Sequence, residues 1–208
     1  MEERINLGSN PAGDDEGGAC AACMPEFDML LSQSPALAAG WERAPRRALM
    51  PGQALVTIGQ RVRQVWRVES GLFRLYYLSP DGRERNRSFH AEGKWLGAGV
   101  PPGEIDSPYA IEALEPAMVV EVAYTTLEMW GREHPAVSPA IQDVLAKIFL
   151  RQSQREAELL LLDATSRYSA FLDYYGQLAQ RIPLHHVASY LGITNVALSR
   201  IRRGMKTS

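Results

Sequence analysis

Between Arg43 and about Ala123 the apolar residues come in short runs rich in Val, Tyr, Phe and Leu. Turn residues separate the runs at Pro51-Gly52, Gly59, Ser70-Gly71, Ser79-Pro80-Asp81-Gly82, Glu92-Gly93 and Glu115-Pro116. The pattern predicts strands over 54–58, 65–68, 72–78, 83–90, 109–114 and 118–122. A repeat of about ten residues is the signature of an antiparallel sandwich or barrel. Pro80-Asp81-Gly82 reads as a hairpin turn, because Pro presets φ and Gly accepts φ > 0. Upstream, 24–41 reads as short helices with Phe27, Leu30, Leu31 and Leu37 on an apolar face. After Thr125 the period becomes helical: Ser138 is placed to cap, Pro139 suits the first helical position, and no Gly or Pro follows until Gly176. A stripe steps alternately by four and three through Ile141, Leu145, Ile148, Gln152, Arg155, Leu159 and Leu162. It predicts a dimer seam, with Ile141, Leu145, Ile148, Gln152 and Leu159 pairing across a two-fold axis and the polar members fixing register. Val144, Phe149, Leu160 and Leu161 widen the apolar face, so the alternative is a helix packed on its own sheet. A further helix runs from about Thr165, with Tyr168, Phe171, Leu172 and Tyr175 apolar, and Gly176 ends it.

The segment RIPLHHVASYLGITNVALSRIRRGMK near the C-terminus has a pattern of its own. Leu184, Val187, Ala188 and Leu191 form one apolar helix face, and Gly192 breaks that helix. Thr194 caps a second helix over 195–203, with Leu198 and Ile201 inward. Ala188 is small enough to let the second helix cross closely. This is a helix-turn-helix arrangement, in which one helix lies across phosphates while the next enters the major groove. The outward residues Asn195, Val196, Ala197, Ser199, Arg200, Arg202 and Arg203 put small side chains at the leading end and arginines behind them.

Composition supports a folded chain. Of 208 residues 46% are hydrophobic, with 22 basic against 24 acidic, enough for one or two cores. No apolar run approaches a membrane span, the N-terminus has no apolar signal region, and two cysteines cannot make a disulfide framework, so the chain reads as cytoplasmic. The net charge of −2 hides an asymmetry. Residues 1–30 hold seven acids against Arg4, whereas 181–208 hold five bases and no acid. That basic end fits contact with double-stranded DNA.

These residues carry a family resemblance. Leu191-Gly192-Ile193-Thr194 followed by Ser199-Arg200-Ile201-Arg202 is similar to the recognition-helix motif of the Crp/Fnr family of bacterial transcription regulators. Ser70-Gly71, Leu75 and Pro80-Asp81-Gly82-Arg83-Glu84 resemble that family's sensor hairpin, and the likeness runs over about 27–203. It implies an α+β chain: a mobile arm at 1–24, an antiparallel β-roll (jelly-roll) sensor domain at 25–133, a dimerisation helix at 134–163, and a helix-turn-helix domain with a truncated wing at 164–208. It implies a homodimer on a palindromic operator, with Arg200 reading a base and His185 touching phosphate; RNA polymerase is a further candidate partner. No membrane partner and no enzymatic activity are expected.

The departures are as informative. Cyclic-nucleotide binders of this family carry Gly-Glu and, about ten residues later, Arg-Ser, which hold the ribose and the phosphate. The matching pocket positions here are Gly97, Ala98, Pro108 and Tyr109, so both polar anchors are absent. No cofactor is expected, and the effector is expected not to be cyclic AMP. Arg83, Arg85 and Arg87 should share one strand face, with Glu84, Asn86 and Ser88 on the other; turned inward, that basic face would suit a different anion. The recognition helix has Val196 where the family has Glu, so the usual half-site should not be assumed. Cys20 and Cys23 are too few to ligate an iron–sulfur cluster alone, and read as small residues of the arm. Two alternatives stand: a cupin-like metal enzyme using His90 and Glu92, and a sensor module that binds protein rather than DNA.

Overall fold

The structure, a computed structural model, describes residues 25–99 and 103–206. The arm with Cys20 and Cys23, and the Pro101-Pro102 pair, lie outside the described residues. Two short helices open the fold, α1 (Pro25–Gln33) and α2 (Pro35–Glu42). Ser34 separates them and caps the second: its hydroxyl accepts from the Leu37 N–H, and Pro35 takes the first turn, where no N–H is needed.

Among the described residues ten strands follow: β1 (Arg46–Leu49), β2 (Ala54–Val56), β3 (Arg61–Val62), β4 (Gln64–Ser70), β5 (Phe73–Leu78), β6 (Glu84–His90), β7 (Trp95–Leu96), β8 (Ile105–Asp106), β9 (Ala110–Ala113) and β10 (Ala117–Ala123). All pairings are antiparallel. One sheet has the order β1-β10-β4-β7, a second β2-β9-β5-β6, and β3-β8 forms a two-stranded flap. Each of the six predicted runs holds a strand, and β1, β3, β7 and β8 were not foreseen. They are two to four residues long, too short to show a period. Gly71 makes the β4–β5 corner with φ +94°, and a Cβ there would lie 2.6 Å from the Ala117 Cβ, so this close crossing requires glycine.

Helices α3 (Tyr124–Glu133), α4 (Val137–Leu161), α5 (Ala164–Tyr175), α6 (Leu184–Leu191) and α7 (Asn195–Lys206) complete the chain. Ser138, expected as a cap, sits inside α4 instead, its hydroxyl donating to the Gly131 carbonyl. Asp163 caps α5 through the Ser166 N–H at 2.7 Å.

Two cores result. The first lies between the sheets and is closed by α1, α2, α3 and the start of α4, with Trp66, Phe73, Ile111 and Val119 at its centre. The second joins Leu72 and Phe89 to Phe171, Tyr175, Leu191 and Leu198 of the C-terminal helices. Strand β6 is the edge of its sheet. Edge strands present unpaired N–H groups, and here α5 and α6 satisfy them: Phe89 N–H donates to the Tyr175 hydroxyl and Asn86 N–H to the Ser189 hydroxyl, both at 3.1 Å. The C-terminal helices are therefore docked along an open sheet edge.

Candidate functional sites: a basic helix and a cation-lined cavity

Helix α6 ends as its sequence requires. Gly192 adopts φ +71°, and the Ile193 N–H closes on the Ala188 carbonyl at 3.0 Å. Thr194 then caps α7 by accepting from the Ala197 N–H at 3.2 Å. Val187, Ala188, Leu191 and Leu198 are buried where the two helices meet. Leu184, expected on that inner face, is instead 47% exposed. Asn195, Val196, Ser199, Arg200 and Arg203 are exposed, as is His185 on α6. Ala197 and Arg202 are half-buried, so the outward face of α7 is narrower than expected. A helix steps 100° per residue, and only every third or fourth position stays outward. Val196 is 62% exposed, a β-branched apolar side chain on the open face of a basic helix.

The predicted seam on α4 divides. Ile141 and Ile148 pack against the first core, and together with Leu145 and Gln152 they line a cavity of about 290 Å³ between α4, the sheets and the C-terminal helices. Arg155 is buried within its own chain. Of the five seam residues only Leu159 is exposed, and the strongly exposed apolar side chains of α4 are Phe149, Leu150, Leu160 and Leu161. The stripe turned toward the chain's own sheet, as the alternative reading had it, and a second apolar face points away.

Gly97, Ala98 and Tyr109 line the cavity, with the Tyr109 hydroxyl donating to the Gly97 carbonyl at 2.6 Å. Pro108 is exposed and forms no part of the lining. The three arginines expected on one strand face are separated by a bulge. In the β5–β6 ladder Leu75 pairs with Ser88 and Tyr76 with Asn86, so Arg87 is the extra residue. Arg87, Ser88 and His90 line the cavity, while Arg83 and Arg85 stay exposed. The Arg87 guanidinium lies 4.8 Å from the centre of the Tyr109 ring. Sequence alternation could not reveal this, because one extra residue reverses every side chain beyond it.

A buried ion network closes the far end of the cavity. Glu158 accepts from Arg151 at 2.6 Å and from Arg155 at 3.0 Å. Arg151 also donates to the Tyr190 hydroxyl at 2.7 Å and lies over the Tyr174 ring, and Arg155 donates to the Tyr190 carbonyl. Burial opposes the Arg151 charge, but the Glu158 bonds and tyrosine neighbours outweigh it and raise its pKa. A second contact holds the docked helices: Arg181 makes bidentate bonds to Glu92 and reaches Glu115.

His90 and Glu92 do not converge. The His90 ring bonds to the Ser88 hydroxyl, and Glu92 is taken by Arg181 and the Gly71 N–H. Among the described residues no three His, Cys, Asp or Glu side chains come together. Burial, helped by Arg87 and Lys94, depresses the His90 pKa to about 3. Burial next to Arg74 and His185 depresses His186 to about 4, where its ring meets the Asn86 amide. Both rings are neutral when folded, whereas in the unfolded chain they take up a proton near their ordinary pKa of about 6.5. Their contribution to stability is therefore full above about pH 6.5 and is lost as pH falls toward about 4 for His186 and about 3 for His90. Thermal melts should show Tm falling through that window. His186→Asn, which cannot titrate, should flatten the fall, and an unchanged slope would argue against a neutral His186.

No protein-family model matches the chain. It is 24% identical over 171 residues to the fumarate and nitrate reduction regulatory protein of Vibrio cholerae, an alignment spanning 75% of this chain and 66%, just under two thirds, of that relative. Its fold is similar to that of FixK2 from Bradyrhizobium japonicum, with TM-score 0.70 and 21% identity over 79% of this chain and 85% of the other. It is also similar to TTHB099, a CRP-family transcriptional regulator from Thermus thermophilus, with TM-score 0.63 and 20% identity over 77% and 84% of the two chains. With a pair of antiparallel sheets, a long helix and a capped helix-turn-helix all present, the chain is similar in sequence to regulators of the Crp/Fnr family and shares the fold of their solved structures.

Proposed function

We propose that the chain is a DNA-binding transcription regulator, acting in the cytoplasm as a homodimer on a palindromic operator. The observation that carries this reading is α7: a capped helix, free of acids, with Asn195, Ser199, Arg200 and Arg203 exposed along one side. Basic side chains hold phosphates, and Arg and Asn at a helix front read guanine and adenine edges. Pairing with a second copy is supported by the outer face of α4. Phe149 and Leu160 lie about three turns apart and so point the same way, as do Leu150 and Leu161. Phe149 is 75% and Leu160 74% exposed, a large apolar face on one helix. No described helix is long and apolar enough to cross a membrane.

The cavity is the sensor site in this reading, and it takes no cyclic nucleotide: Ala98 and Pro108 stand where the family's ribose and phosphate anchors would be. The test is duplex binding across a salt series, with sedimentation of the free protein. Specific, salt-dependent binding by a dimer, reduced to monomer by Phe149→Glu with Leu160→Glu, is expected. Absence of duplex binding at low salt would overturn the reading in favour of a module that binds protein.

A further inference from the structure

We propose that the cavity binds a small organic carboxylate with an apolar body, anchored by Arg87. The inference rests on reading the cavity as a sensor site. Among the described residues its lining includes three arginines and no carboxylate. Arg151 and Arg155 share one acid, Glu158. Arg87 has no acid partner among the described residues, and its Nε is sealed from solvent without a hydrogen bond. An enclosed guanidinium donor without an acceptor is unfavourable, and a planar carboxylate is the group that matches its fork. The β6 bulge is what brings this one arginine of the strand to the cavity wall.

The remaining wall fixes the rest of the ligand. Leu75, Val144, Leu145 and Ile148 are apolar, and Trp95 and Tyr174 add aromatic surface. Such a wall offers no acidic acceptor for the hydroxyls of a sugar, which would be desolvated without compensation. A volume of about 290 Å³ lies at the small end of ligand sites. A monoanion with an aliphatic or aromatic body satisfies charge, shape and polarity together. Its body would rest on Tyr174, Tyr175 and Tyr190, which belong to α5 and α6, so occupancy bears directly on the docked DNA-binding helices.

Calorimetric titration of the full chain with hexanoate, decanoate and benzoate tests the proposal, with hexanamide and benzamide as neutral counterparts and cyclic AMP and inorganic phosphate as other anions. At least one carboxylate should bind about 10- to 100-fold more tightly than its amide, the worth of a charge-assisted bond. Arg87→Met should remove that preference, and Arg87→Lys should restore part of it. Leu145→Trp, which fills the cavity and keeps Arg87, should block binding in a folded protein. Equal affinity for acid and amide, carboxylate binding unaffected by Arg87→Met, tighter binding of phosphate or cyclic AMP, or no binding by any carboxylate at about 10 mM, well above ordinary ligand affinities, would each overturn it. Duplex binding measured on the same samples separates this result from the DNA reading: retained DNA binding with no carboxylate site removes the ligand inference alone.

Discussion

Replacing Glu158 by alanine is expected to destabilise the protein by about 3–5 kcal/mol, because it strands two buried guanidinium groups around one lost carboxylate. Glu158 is 8% exposed, and its partners Arg151 and Arg155 are buried to a similar degree, so only water held in the cavity that the two arginines line could stand in for the lost charge. The tyrosines do not compensate. They hold Arg151 and Arg155 through one hydroxyl, one carbonyl and ring faces, none of which carries a full negative charge. Glu158→Gln keeps an acceptor without the charge and should fall between alanine and the parent. Changing the three groups together, Arg151→Met, Arg155→Met and Glu158→Leu, should be far milder than the single change, since apolar replacement of a buried ion cluster is often neutral. Urea unfolding with a constant m-value measures all three. A loss below about 1 kcal/mol for Glu158→Ala would show that the network is solvated, as surface pairs are.

That network also shows where the sequence was legible and where it was not. The i,i+3 spacing of Arg155 and Glu158 was available, but no local pattern places Arg151, Tyr174 and Tyr190 around them. The α4 stripe was ambiguous for a related reason. A period of three and four says that one side of a helix is apolar; it does not say whether that side meets a second chain or the helix's own sheet. Here Ile141 and Ile148 meet the sheet, and Phe149 and Leu160, which had served only to widen the face, point outward. The β5–β6 hairpin was readable because Pro80 and Gly82 determine local backbone geometry. The bulge at Arg87 was not, because it is set by the partner strand and by α6 packed along the edge. The helix-turn-helix was the most legible part: Ala188, Gly192 and Thr194 each act within a few residues of themselves, through close packing, a left-handed turn and a cap.

Arg200→Ala should lose about 1–3 kcal/mol on the selected operator and relax preference at one base position, whereas Arg203→Ala should weaken all duplexes alike and shallow the salt slope by about one. The distinction follows from position on α7. Asn195, Val196, Ser199 and Arg200 occupy its first two turns, the end that would enter the groove in the proposed DNA complex, while Arg203 lies a turn further along. Val196 makes the prediction sharper. An acid at that position would accept from cytosine N4; valine has no acceptor and offers a methyl surface that suits the thymine methyl. Site selection on random duplex should therefore return an A·T pair under Val196, next to a guanine under Arg200. Val196→Glu should move the preference at that one pair toward G·C and leave the guanine unchanged. The geometry permits so local a swap because Val196 is exposed and makes no packing contribution to the core. Equal losses on operator and random duplex for Arg200→Ala would mean that this arginine holds phosphate, and the reading register along α7 would then have to shift.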